Sequence, residues 1–285
     1  MICTVFYFYR ESGGYTMENN EIVRKNYDAD PAREWGRLAQ HPFEYEINMR
    51  FLRRYVKPGD RVLDVGGGPG RYSIALAELG CEVTLLDLSP ENVRLAKEKA
   101  AAQGVALRAM TADARDLSLL GSETFDHVLC MGPLYHLLNE ADRAQAVREC
   151  LAHLRPGGIF AAAWIALVSG VIFMGRSAPE IITNPSEAAP LAAFRQDGSW
   201  GGQAFTQAYF TAPSEVLPFL AQFPLQKLHF LGSEAIVCAF EDRILGQSQE
   251  VIDAWLDLAE SVCEQERFLN FTEHLLYIGR KESSL

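Results

Sequence analysis

The chain has 285 residues, 48% of them hydrophobic and 22% charged, a composition that buries a full-sized core and excludes a disordered or fibrous protein. Its formal net charge of −11 argues against nucleic acid as a bulk partner, because phosphate binding needs an electropositive face. Six cysteines, Cys3, Cys81, Cys130, Cys150, Cys238 and Cys263, are scattered with no CxxC or Cys/His cluster. That spacing argues against a structural metal and fits a reducing, cytoplasmic setting.

Residues 1–9, MICTVFYFY, are apolar but lack the basic start and small-residue cleavage site of a signal peptide. They read as an N-terminal extension, 1–16, ahead of a more ordinary start at Met17. Residues 17–58 read as helical with one break near His41-Pro42, and Pro58-Gly59 ends the segment. A regular alternation follows over 59–164. Strands are predicted at 61–65, 82–87, 105–110, 125–131 and 159–164, and helices at 70–79, 90–103 and 139–153. Ser89-Pro90 starts the second helix and Gly104 stops it. Strands and helices alternating at this spacing predict an α/β fold, a Rossmann-like parallel sheet with helices on both faces. Residues 159–175 form an uncharged apolar run, read as a buried strand and an apolar surface segment, with no membrane span. Residues 165–224 carry Gly, Pro, Ser and Asn irregularly among aromatic residues and read as an inserted lid. The C-terminal part, 225–285, is expected to return to the sheet with strands at 225–231 and 274–280 around a helix at 246–263.

The sharpest signal is VLDVGGGPGRY at 62–72, placed between a strand and a helix. Gly66, Gly67, Gly68 and Gly70 allow a sharp turn and close approach of the backbone to a ligand. A dinucleotide fingerprint from Gly66 or Gly68 would need a third glycine where Arg71 or Ser73 stands, and no Gly-Lys-Ser/Thr ending marks a P-loop. Asp64 precedes the glycines; a carboxylate there repels a pyrophosphate and suits a ligand bearing an amine and a sulfonium. Asp87, with Leu88, closes the second strand, where an acid accepts ribose hydroxyls. Asp113-Ala114 follows the third, where a carboxylate and a backbone N–H read an adenine edge.

These motifs, in order DVGGGPG, LLDLS, TADARDL, FDHVLCMGPLYHL and LRPGGIF, resemble class I S-adenosylmethionine-dependent methyltransferases over residues 61–163. The resemblance implies a seven-stranded sheet whose last strand is antiparallel, and S-adenosylmethionine as cofactor, released as S-adenosylhomocysteine. It points to Gly66 and Met131 for the methionine moiety and to Tyr27 and Arg37 as an N-terminal gate over the cofactor.

The acceptor is less legible. Amide- and DNA-methylating members carry [DNS]-P-P-[YFW] after strand four. Gly132-Pro133-Leu134-Tyr135 lacks the polar first residue, which turns the expectation toward a small-molecule acceptor. A protein or tRNA acceptor, or a non-catalytic binding protein, stands as the alternative. Tyr135 is expected as an aromatic wall or a core residue, and His136 as a general base or a helix-start histidine bonded to backbone. The aromatics of 165–224 suggest an apolar pocket or the face of a homodimer.

Overall fold

A computed structural model of the chain describes residues 19–283, without the side chains of residues 38–40; the extension 1–16 lies outside the described residues. Three helices open the described chain: α1 (Asn19–Ala29), α2 (Pro31–Gln40) and α3 (Pro42–Leu52). The expected break at His41-Pro42 is present, and a second one falls at Asp30-Pro31. Proline makes both, and only the second carries a side-chain cap. Pro sits in the first turn, where no amide hydrogen is needed, and the Asp30 carboxylate accepts the Arg33 amide at 3.0 Å.

The alternation then runs β1 (Arg61–Val65), α4 (Arg71–Glu78), β2 (Glu82–Asp87), α5 (Pro90–Ala102), β3 (Arg108–Thr111), β4 (Phe125–Cys130), α6 (Glu140–His153) and β5 (Leu154–Ala166). Strand β3 begins later than expected because the turn that closes helix α5 holds Val105 and the residues up to Leu107 join no ladder. Gly104 takes φ +71°, and the Val105 amide folds back to the Ala100 carbonyl at 3.1 Å.

Residues 165–224 are more ordered than their composition suggests. They hold α7 (Val168–Ser177), α8 (Ala188–Arg195), a hairpin of β6 (Trp200–Gln203) and β7 (Gln207–Thr211), and α9 (Pro213–Leu220). The apolar run 159–175 is thus the end of β5 and most of α7; no helix among the described residues is long and apolar enough to cross a membrane. Strand β8 (Leu225–Gly232), α10 (Glu241–Leu245), α11 (Gln249–Val262), α12 (Glu266–Leu269) and β9 (His274–Lys281) complete the chain.

Strands β3-β2-β1-β4-β5 are parallel neighbours in that order. Strand β9 runs antiparallel to β5, from Ile159↔Arg280 to Ile165↔His274, and β8 pairs antiparallel with β9. These seven strands are the expected sheet, its last strand antiparallel. The β6–β7 hairpin extends it to nine by a short parallel contact of β7 with the end of β5, Ile165↔Phe210 and Ala166↔Thr211. Both faces are covered. Val128, Cys130, Phe160 and Trp164 pack with α6 and α9 on one face; Leu129, Ala161, Leu276 and Ile278 pack with α3 and α11 on the other. That alternation is the two-residue period of a strand buried on both sides. Chain order reverses between β1 and β4, which leaves a crevice at the carboxyl ends of the strands there.

Candidate functional site

A partly open cavity occupies that crevice. Its floor is the turn after β1, where Gly66 takes φ +72° and Gly68 φ +56°. A Cβ on Gly66 would meet Pro133 Cδ at 2.4 Å, and one on Gly132 would meet the Gly66 carbonyl oxygen at 2.8 Å. The turns after β1 and β4 therefore touch backbone to backbone. This contact also explains the missing polar residue at position 132: in this packing only glycine fits there.

Asp87, at the end of β2, is buried. Its carboxylate accepts the Gly68 amide at 2.8 Å, the Ser89 amide at 2.9 Å and the Asn92 side-chain amide at 3.2 Å. Burial raises its pKa while those three bonds pull it down. Of about four acceptor directions on a carboxylate, three are used, which leaves one for a ligand hydroxyl. Asp113, after β3, accepts the Asn20 side-chain amide at 2.5 Å and the Arg115 guanidinium at 2.8 Å. Burial works to raise its pKa, but Arg115 wins and holds it below the ordinary value. Leu88 and Ala114 also line the space, as the spacing predicts. Glu34, Asp87 and Asp113 face it against Arg24, the one Lys or Arg among the lining residues. The lining carboxylates outnumber that cation and suit a cationic ligand, with Glu34 and Asp113 each also paired to an arginine behind the wall, Arg37 and Arg115.

Five residues expected here do not line the cavity. Asp64 lies beneath the glycine turn, 2% exposed, accepting the Ser73 hydroxyl at 2.7 Å; burial pushes its pKa up to about 6. Gly67 is above it, where a Cβ would meet the Asp64 carboxylate at 2.6 Å, and Gly70 turns the chain into α4 at φ +90°. Both glycines shape the turn from behind. Met131 is half-buried among the apolar residues of the α3 and α11 face. Arg37 is tied down by Glu34 at 2.9 Å and Glu44 at 2.7 Å, one side chain away from the lining Glu34.

Tyr27, Tyr135 and His136 do meet at the cavity wall. Tyr135 and His136 rings stand edge-on with centroids 4.7 Å apart, and burial raises the Tyr135 phenol pKa. His136 is held on two sides. Its Nδ1 lies 3.0 Å from the Gln207 carbonyl on β7, so that nitrogen carries the hydrogen; Nε2 then accepts the Tyr27 hydroxyl at 2.8 Å. Burial pushes the imidazole pKa down to about 4 despite the Gln207 bond. A neutral histidine with both nitrogens paired is the backbone-bonded alternative of the sequence reading, with Tyr27 added.

Lining residues outside the quoted motifs include Asn20, Val23 and Asn92. Asn20, Val23 and Tyr27 stand at i, i+3 and i+7 on α1, one face of a helix. Helical spacing counted back from Tyr27 would have found them.

A second charged group lies beside the site. Glu44, Glu234 and His274 bring carboxylate and imidazole atoms within 4.8 Å of one another. Arg37 and a protonated His274 supply the positive charge there, and we read the group as an ion-pair network, not a metal centre.

Residues 62–158 match the methyltransferase domain family. The ubiquinone biosynthesis O-methyltransferase of Xanthomonas axonopodis pv. citri is 35% identical over 113 residues, 39% of this chain and 46% of that protein. The chain thus spans about half the length of the curated relatives it matches. Two solved structures share the fold. The 1,6-didemethyltoxoflavin-N1-methyltransferase of Burkholderia thailandensis, with its substrate and S-adenosylhomocysteine bound, has TM-score 0.57 at 15% identity, covering 96% of this chain and 94% of that one. The magnesium protoporphyrin IX methyltransferase of Synechocystis, with S-adenosylhomocysteine bound, also has TM-score 0.57 at 15% identity, covering 93% and 100%.

Proposed function

The chain carries a class I S-adenosylmethionine-dependent methyltransferase domain, and on that premise we propose that it methylates a small-molecule acceptor held between the cofactor cavity and the 165–224 insertion. The observation that carries this reading is the convergence of Asp87, Asp113, the Gly66–Gly68 turn and Tyr135 on one negatively charged cavity. The donor and acceptor set fits the cofactor: a free acceptor direction on Asp87 for a ribose hydroxyl, Asp113 and Ala114 for the adenine, and an acidic field for the sulfonium and amine. The bound cofactor supplies an electrophilic methyl group whose transfer discharges the sulfonium.

The protein's part in such a displacement is orientation and exclusion of water. Tyr135 offers a half-buried ring beside the Gly132-Pro133 turn, where an acceptor can be held against the methyl group. His136 is read as a positioning residue, because its Nε2 is already taken by Tyr27. The similarity to ubiquinone biosynthesis O-methyltransferases supports an oxygen acceptor. The chain's net negative charge disfavours tRNA.

Calorimetry with S-adenosylhomocysteine tests the site. Binding is expected in the wild type and to weaken roughly ten- to hundredfold in Asp87→Ala, the cost of charge-assisted hydrogen bonds. Equal affinity in the two proteins would refute the assignment.

A further inference from the structure

The insertion lines a second, partly open apolar pocket, separate from the cofactor cavity and sharing none of its lining residues. Val171 and Met174 of α7, Leu191 and Phe194 of α8, and Trp200 and Phe210 of the hairpin supply its apolar walls. One ionisable side chain, Glu187, reaches its edge. The rim is apolar too: Phe194 and the neighbouring Ile182 are 39% and 51% exposed. A charged cofactor has nothing to bind here, and an apolar ligand does.

A run of aromatic rings leads from this space to the cofactor cavity. Phe210 lines the second space and lies 6.4 Å from Phe205 between centroids; Phe205 lies 5.9 Å from His136, and His136 lies 4.7 Å from Tyr135. Tyr135 and Phe205 are half-buried and pack on the same apolar cluster as Leu167 and Phe210. Gly170, in the first turn of α7, borders the space, and a Cβ built on it meets no atom within 4 Å, so the room over it is open.

Resting on the methyltransferase reading, we propose that this space takes the apolar tail of the methyl acceptor, a small molecule whose reactive head lies at Tyr135 and whose hydrocarbon chain crosses Phe205 and Phe210 into the insertion. The acceptor is therefore amphipathic, a polar head on an alkyl or alkenyl chain.

The test titrates 4-n-alkylphenols, from ethyl to octyl, into protein saturated with S-adenosylhomocysteine. Affinity is expected to rise about fourfold per methylene until the space is full. Gly170→Trp fills the space and should abolish the length dependence while leaving S-adenosylhomocysteine affinity unchanged. Gly170→Leu, a smaller filler that favours the helix, should shorten the longest chain accepted. A flat length series in the wild type, or an unaltered series in both variants, overturns the proposal. Loss of S-adenosylhomocysteine binding by the wild type would instead strike the cofactor reading, so the two failures are told apart.

Discussion

Tyr27 and His136 share one hydrogen bond, and that bond decides what the histidine can do. A histidine expected at the wall of a ligand cavity reads as a base from sequence, since its ordinary pKa lies near neutrality. Here the ring is buried, its pKa is pushed down to about 4, and the Tyr27 hydroxyl fills its lone pair. Tyr27→Phe would leave Nε2 buried without a partner, at a cost of about 1–3 kcal/mol. Urea denaturation of the variant should show that loss. His136→Asn, which can still pair with the Gln207 carbonyl, should fall short of the wild type by less than a residue with no donor. Stability unchanged by Tyr27→Phe would mean the bond is not made in solution. Pairwise hydrogen bonds across 109 residues of sequence have no local signature, which is why the sequence left His136 open between two roles.

Helix α1 closes over the cavity through its polar side chains. Asn19 donates to the His136 carbonyl at 2.8 Å and Asn20 to Asp113 at 2.5 Å, while Asp28 accepts the Ser89 hydroxyl at 2.5 Å. Each contact lands on a loop that follows a strand of the parallel sheet. The buried apolar area of α1 is small, with Val23 its one fully buried residue. Such an element opens at low free-energy cost. Amide hydrogen exchange along α1 should slow when S-adenosylhomocysteine is added; exchange that ignores the ligand would place α1 outside the gate. The helices of this segment are legible in the sequence, because apolar spacing and Pro positions are local; a cover over the site was only what the family resemblance implied. In the insertion, local signals failed. Gly, Pro and Ser are shared by loops and by the short helices and hairpin that residues 165–224 form, and only packing against β5 selects between them.

Across the whole molecule, one buried charge network joins the N-terminal helices to the C-terminal strands. Arg37 on α2 pairs with Glu44 on α3; Glu44 lies 3.6 Å from His274 on β9; and His274 bonds the buried Glu234. Glu241 accepts the Phe43 amide at 3.1 Å and pairs with His41 at 2.9 Å. Burial alone would lower the His274 pKa, but Glu44 and Glu234 prevail and raise it to about 9. A raised histidine stabilises the fold fully below its unfolded pKa near 6.5 and loses that contribution as pH climbs through 9. Burial and Glu234 likewise raise Glu273 to about 7, which also favours the fold at lower pH. Unfolding free energy should therefore fall between pH 6.5 and 9, by about 3 kcal/mol from His274 alone. His274→Gln should flatten most of that slope in urea titrations. A slope retained in the variant would remove His274 from the network.

What the sequence determined by itself is the sheet core and several residues that line the cavity. Strand and helix periods, the glycine turn at 66–70, Asp87 and Asp113 each depend on residues a few positions apart, so the chain writes them locally. Only the tertiary structure decided that Asp64, Gly67, Gly70 and Met131 stand behind the cavity wall. It also decided that Arg37 faces Glu34 and Glu44, and that His136 is bound between α1 and β7. The reason is physical. A side chain's direction and its partner come from packing between elements that are distant in sequence, and no local pattern carries that information.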